Sequence, residues 1–153
     1  MKEALPGTAA VAALVVALAA CTASRAPAPA IPTYTGPARP AGQVAIFDCG
    51  FGVTLRAVDG NRDYQGAPLA CRYALLPGRH RFRVSFSSEK TGQAKPVSSP
   101  HDYLVRLRLE AGHRYTLNAF YKGSSTGERP WKVDLADSAE RYPSTVTDIR
   151  PAP

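Results

Sequence analysis

Between residues 43 and 141, apolar side chains recur at every second position. Phe82, Val84 and Phe86 alternate with Arg81, Arg83 and Ser85, and Val105, Leu107 and Leu109 alternate with Arg106, Arg108 and Glu110. The same beat runs through Val44 and Ile46, through Val53, Leu55 and Ala57, through Tyr115, Leu117, Ala119 and Tyr121, and through Trp131, Val133 and Leu135. Successive side chains of a strand point to opposite faces, so this pattern calls for strands with one buried and one wet face. No comparable stretch keeps the 3.6-residue spacing of a helix. The 14 prolines and 12 glycines also argue against a helical bundle.

The breaks between these runs carry turn chemistry. Asp59-Gly60 and Pro77-Gly78 supply residues suited to tight turns, and Glu110-Ala111-Gly112 is short enough for a hairpin. Residues 88–100 are polar, contain two prolines and read as an exposed loop. The expected fold is therefore all-β: a small antiparallel β-sandwich of six or seven strands, with a small β-barrel as the alternative. A charged fraction of only 20% excludes a disordered polyampholyte.

A family pattern overlaps these turns. Val58-Asp59-Gly60, then Gly66-Ala67-Pro68-Leu69, then Leu76-Pro77-Gly78-Arg79-His80 resembles the PEGA domain. The segment from Leu109 to Tyr115 resembles a hairpin of small bacterial envelope lipoproteins. PEGA domains are envelope β-sandwich modules without catalytic residues. The resemblance thus implies a fold and a compartment, and transfers no site.

The N-terminus reads as an address. An uncharged stretch of secretory length ends in Leu18-Ala19-Ala20-Cys21, which resembles the lipobox of bacterial lipoproteins. The resemblance makes residues 1–20 a signal peptide and Cys21 the acylated first residue of the mature chain. An ordinary signal peptide with an incidental cysteine, or a buried apolar helix, is the alternative. Thr22, in place of aspartate, favours the outer membrane facing the periplasm. Residues 22–41 hold five prolines and six alanines, so residues 21–42 are expected to form a polyproline tether without helix or sheet. Residues 142–153 carry three prolines and read as a flexible tail.

Two cysteines remain, Cys49 and Cys71, 22 positions apart. In an exported chain such a pair closes into a disulfide, stabilising by about 3 kcal/mol in the chain-entropy description. Two buried free thiols or a metal pair are the alternatives. No ligand sits two to four residues from either cysteine, so no metal or cofactor is expected.

Nothing in the pattern marks catalysis. His80, His101 and His113 have no local ligand partner, Asp134 and Asp137 carry no sign of a paired acid and base, and no nucleophile or phosphate-binding motif is present. The organised polar feature is basic. Arg81 and Arg83 on one strand, Arg106 and Arg108 on another and Arg114 on a third would share a face if those strands were neighbours, consistent with the formal net charge of +7. Such a face attracts anions, and a solvated face kept charged for solubility and against aggregation is the alternative. With little aromatic interleaving, nucleic acid is not an expected partner. The expected function is that of a non-catalytic envelope lipoprotein. It would act as a binding or structural module, held by the membrane through its anchor and touching an anionic envelope polymer or an envelope protein. An inhibitor or accessory subunit of an envelope complex is the second reading, and a hydrolase the third.

Overall fold

The structure is a computed structural model that describes residues 28–62, 71–88, 95–123 and 130–153. Cys21, the stretch before it and Gly66-Ala67-Pro68-Leu69 lie outside the described residues.

Two sheets face each other. The first has the order β1-β4-β2-β7-β8-β9, built from β1 (Ile31–Pro32), β2 (Ala45–Cys49), β4 (Arg72–Leu75), β7 (Arg114–Tyr121), β8 (Trp131–Asp137) and β9 (Ser144–Thr145). The second has the order β10-β6-β5-β3, built from β3 (Val53–Val58), β5 (Gly78–Phe86), β6 (Tyr103–Leu109) and β10 (Ile149–Pro151). All pairings are antiparallel except β1 with β4 and β2 with β7, which are parallel. The sheets do not close into a barrel, so the fold is the small β-sandwich that the alternation demands.

The inner faces supply one core. Phe82, Val84 and Phe86 of β5 and Val105, Leu107 and Leu109 of β6 are buried as the alternation requires, as are Tyr115, Leu117 and Ala119 of β7. The Phe47 ring of β2 stacks on the Phe82 ring of β5 with centroids 4.2 Å apart, and Phe86 packs on Trp131 at 5.5 Å, so aromatic pairs join the two layers. Cys49 and Cys71 form the expected disulfide, with Cα atoms 5.2 Å apart, tying the end of β2 to the residue before β4.

Several expectations are corrected. Val44 is buried as expected, but within β2 the core residues are Ala45 and Phe47 while Ile46 is half-buried, so the phase along the strand is opposite to the one expected. The larger Phe47 side chain wins the interior, and Asp48 is thereby turned outward. In β3 a bulge at Arg56 puts Ala57 opposite Arg83, and Val58 takes over the inward position opposite Phe82. β6 and β7 do not form a hairpin, because they belong to different sheets. The Glu110-Ala111-Gly112 turn is an arch between layers, pinned where the Glu110 amide donates to the Tyr115 hydroxyl (3.0 Å) and the Gly112 amide donates to the Val44 carbonyl (2.8 Å). A tyrosine hydroxyl bonded to backbone a few residues upstream is a recurrent device at sandwich corners.

The termini of the domain also differ from expectation. Ile31–Pro32 of the tether adds a parallel edge to β4, and the Thr33 amide donates to the Ala74 carbonyl (3.0 Å). A proline at a sheet edge loses no ladder bond, which is why this Pro-rich segment can pair. The flexible tail is integral to the fold. Ile149 is buried, and β10 pairs with β6. Three prolines did not outweigh one apolar anchor. The described ends of the 88–100 loop are tied together as well. Ser88 is fully buried, and its Oγ accepts from the Val97 amide (2.6 Å).

Gly50-Phe51-Gly52 carries the chain from one sheet to the other. The Gly50 amide donates to Leu117, the Ala119 amide donates to Phe51, and the Ser87 amide donates to Gly52, so this turn touches β7 in one layer and the end of β5 in the other. Gly52 has φ +66°, and a Cβ there would lie 2.6 Å from the Ala119 oxygen and 2.7 Å from the Ser87 oxygen. We expect Gly52→Ala to destabilise the domain by about 2 kcal/mol or more through strain and overpacking, read as a lower urea midpoint. An unchanged midpoint would mean that this crossing does not hold the layers in register.

Candidate functional site

The outer face of the second sheet carries the basic array. Phe82 and Val84, and Val105 and Leu107, must point inward, which forces the residues between them outward. β5 and β6 are neighbours, and their register places Arg81 directly opposite Arg106 and Arg79 directly opposite Arg108. The result is a two-by-two grid. Opposed residues have Cβ atoms about 5 Å apart, and successive pairs lie about 6.8 Å apart along the strands.

Arg81, Arg106 and Arg108 were expected here. Arg79 was not, because it follows the Pro77-Gly78 turn and precedes the alternating run. Its signal was the continuation of the Arg-x-Arg spacing from Arg81 back to Arg79. Arg83 lies on the same face but is spoken for. It is opposite Leu104, its Nε faces Asp102 Oδ2 at 3.4 Å, and its Nη2 donates to the Pro153 oxygen. Arg114 does not join the array. It stands on β7 of the other sheet, whose outward side points away from this one, and its Nε donates to Asp48 Oδ2.

The two outer faces are electrostatically unlike. On the first sheet the largely buried Asp48 accepts from Arg72 (2.8 Å) and from Arg114, and Asp134 accepts from Lys132 (2.7 Å) and from the Thr145 hydroxyl (3.2 Å). On the second sheet, none of the four grid arginines has a carboxylate within 4 Å among the described residues. An open depression of about 740 Å³ lies over the grid, with Asp59 and Asp148 at its borders. Asp59 sits in the Asp59-Gly60 turn, where both residues have positive φ and Val58 and Asn61 exchange hydrogen bonds. Its carboxylate accepts from the Arg81 amide (2.8 Å) and lies 2.7 Å from His80 Nδ1.

The histidines are dispersed among separate partners. His80 Nε2 lies 2.7 Å from the Leu76 carbonyl, so both of its ring nitrogens are engaged. His101 is exposed against the Tyr103 ring. His113 Nδ1 lies 3.0 Å from Asp137 Oδ2. The hydrogen bond to Asp137 raises the His113 pKa against the opposing effect of burial. Burial pushes Asp137 upward, but the Ala139 amide and His113 outweigh it and hold the carboxyl below its usual value. Burial raises the Tyr115 phenol nearby. Among the described residues, no group of three or more His, Cys, Asp and Glu side chains could hold a metal ion, and no helix is long and apolar enough to cross a membrane.

These features define a two-layer β module with one neutralised outer face and one basic outer face. Set against known proteins, the chain matches no family model, no curated protein and no solved structure.

Two outcomes follow from this geometry. Like charges directly opposite one another on a sheet destabilise it, so Arg106→Thr should raise stability by roughly 0.2–1 kcal/mol, seen as a higher Tm at low salt. A lower Tm would show that the grid is structural. For the His113–Asp137 pair, a raised histidine pKa stabilises the fold fully below the ordinary value of 6.5 and fades as pH rises through the folded value. The lowered Asp137 contributes above 3.8 and fades as pH falls. The Tm gap between wild type and His113→Gln should therefore be widest between those two values and narrow above neutrality. A gap that is flat with pH would refute the pairing.

Proposed function

We propose that the chain is a non-catalytic, lipid-anchored module of the cell envelope that holds an anionic surface against the outer face of β5 and β6. The observation that carries this reading is the pair of directly opposed arginine couples, Arg79 with Arg108 and Arg81 with Arg106, left without carboxylate partners among the described residues. A sheet face that needs only solubility carries charges of both signs. This chain arranges such a mixture on its other face through Asp48 and Asp134, and on this sheet beyond the couples, where Asp102 faces Arg56 and Arg83. Four guanidiniums held at strand spacing instead form a field that an anion would relieve.

Leu18-Ala19-Ala20-Cys21 supports the anchor, and Thr22 supports the outer membrane facing the periplasm. Each exposed contact contributes under about 1 kcal/mol on its own. Useful affinity therefore has to be collective, helped by tethering beside the surface.

The test uses the full chain with Cys21→Ser, which should leave the membrane fraction. That protein should co-sediment with anionic but not neutral vesicles at low salt, and release at high salt. Arg81→Glu with Arg106→Glu should abolish the binding. Equal binding to neutral vesicles, or none at low salt, would leave the arginines as solubilising residues, and a Cys21→Ser chain that still pellets with membranes at high salt would remove the anchor.

A further inference from the structure

We infer that the end of the sandwich marked by Phe51 seats on the lipid bilayer that holds Cys21. This rests on the anchor reading above and adds to it an orientation of the folded module.

Phe51 stands in water on a fixed backbone. It is the central residue of Gly50-Phe51-Gly52 and is 59% exposed. The Gly50 amide donates to the Leu117 carbonyl (2.7 Å), and the Phe51 amide donates to Asn118 Oδ1 (3.0 Å). The Phe51 carbonyl accepts from the Ala119 amide (2.8 Å), and the Gly52 carbonyl accepts from the Ser87 amide (2.9 Å). The turn is therefore tied down on both sides, and the ring cannot fold back to bury itself. A ring presented this way loses little conformational freedom when something covers it. It has apolar company. Phe120 is the outward position on β7 after Asn118, and Ile31 stands on β1; both are exposed.

The entering chain arrives at this same end. β1 runs parallel to β4 with Ile31 opposite Tyr73, so the residues before Ile31 lead past Arg72 toward Cys71. Arg72 Nη1 fixes that path by donating to the Ala28 carbonyl (3.2 Å). Cys71 is bonded to Cys49, the residue immediately before Gly50. Seven Cα–Cα steps lead from Cys21 to Ala28, a reach of at most about 25 Å. The Glu110-Ala111-Gly112 arch lies at the far end, beyond the eight residues of β7, about 25 Å away. Leu76, which follows β4, is at that far end too.

Reach and chemistry select the occupant. A bilayer holding Cys21 lies within one short tether of Phe51, and its acyl boundary takes up exposed apolar rings. One ring does not hold a free chain to a neutral bilayer. A tethered chain needs far less, because the tether keeps the ring at high effective concentration beside the surface.

The experiment couples the full chain through Cys21 to a maleimide lipid in neutral phosphatidylcholine vesicles. With Cys49 and Cys71 bonded, Cys21 is the thiol left to react, so attachment does not depend on acylation in the cell. The vesicles carry brominated acyl chains, which quench tryptophan. Buried Trp131 gives the background in every variant. Phe51→Trp should lose most of its added emission, and Leu76→Trp at the far end should keep its own. Phe120→Trp should be quenched as well, and adding Phe51→Ser should release that quenching.

Equal quenching of Phe51→Trp and Leu76→Trp, or quenching of neither, would overturn the seat and leave Phe51 to a protein partner. Quenching of Phe120→Trp that persists with Phe51→Ser would overturn the part given to Phe51. The anchor reading is judged separately, by the mass of the chain recovered from cell membranes. A chain without acyl groups would overturn that reading, whereas the coupled chain reports the seat alone.

Discussion

The stack of Phe47 on Phe82 is the contact on which the rest depends. It joins β2 of one sheet to β5 of the other, and in doing so sets the phase of both strands. With Phe47 inside, Asp48 must point out, where it finds Arg72 and Arg114. With Phe82 inside, Arg81 and Arg83 must point out. β5 then presents its arginines to those of β6, whose own phase is set by Val105 and Leu107. A slip of one residue in either strand would reverse every one of these assignments. One aromatic contact in the interior thus decides which outer face is balanced and which is not.

The two faces show how differently one residue type can be used. Arg72 and Arg114 share a carboxylate that is mostly hidden from water, and they stitch β4, β2 and β7 together. Arg72 also donates to the Ala28 carbonyl and so helps hold the incoming chain. These arginines are fasteners. On β5 and β6, Arg79, Arg81, Arg106 and Arg108 line an open depression with no carboxylate within 4 Å of them among the described residues, and Asp59 and Asp148 line it too.

Much of this was legible in the sequence, and the failures share a cause. Alternation revealed the strands because each has one wet face. It was blind to Arg72–Leu75 as a period-two run, because Tyr73, Ala74 and Leu75 are all buried. It misjudged β2 because Val44, Ala45, Ile46 and Phe47 are all apolar, and only packing decides that Ile46 is the one left half-buried. Local sequence also cannot separate a hairpin from an arch. Glu110-Ala111-Gly112 would serve either, and long-range pairing of β7 with β2 and β8 settles the matter. That misassignment is what placed Arg114 on the wrong face. Arg79 was missed at a strand start, where element boundaries are least marked. The disulfide was readable because Cys49 and Cys71 are the two cysteines inside the domain, 22 positions apart.

The pairing of Ile31–Pro32 with β4 changes the mechanics of attachment. Ten Cα–Cα steps lead from Cys21 to Ile31, a reach of at most about 35 Å when fully extended. For a chain held at Cys21, the linker is a short leash, and the module explores only a thin layer above its anchor. Load applied there would meet the Arg72–Ala28 hydrogen bond first and then the two residues of parallel ladder at the edge of the first sheet. Once β1 peels away, tension passes through residues 33–44 into β2. There it meets the Cys49–Cys71 bond, which ties the end of β2 to the start of β4. The outermost pairing is two residues long, and the covalent staple stands behind it.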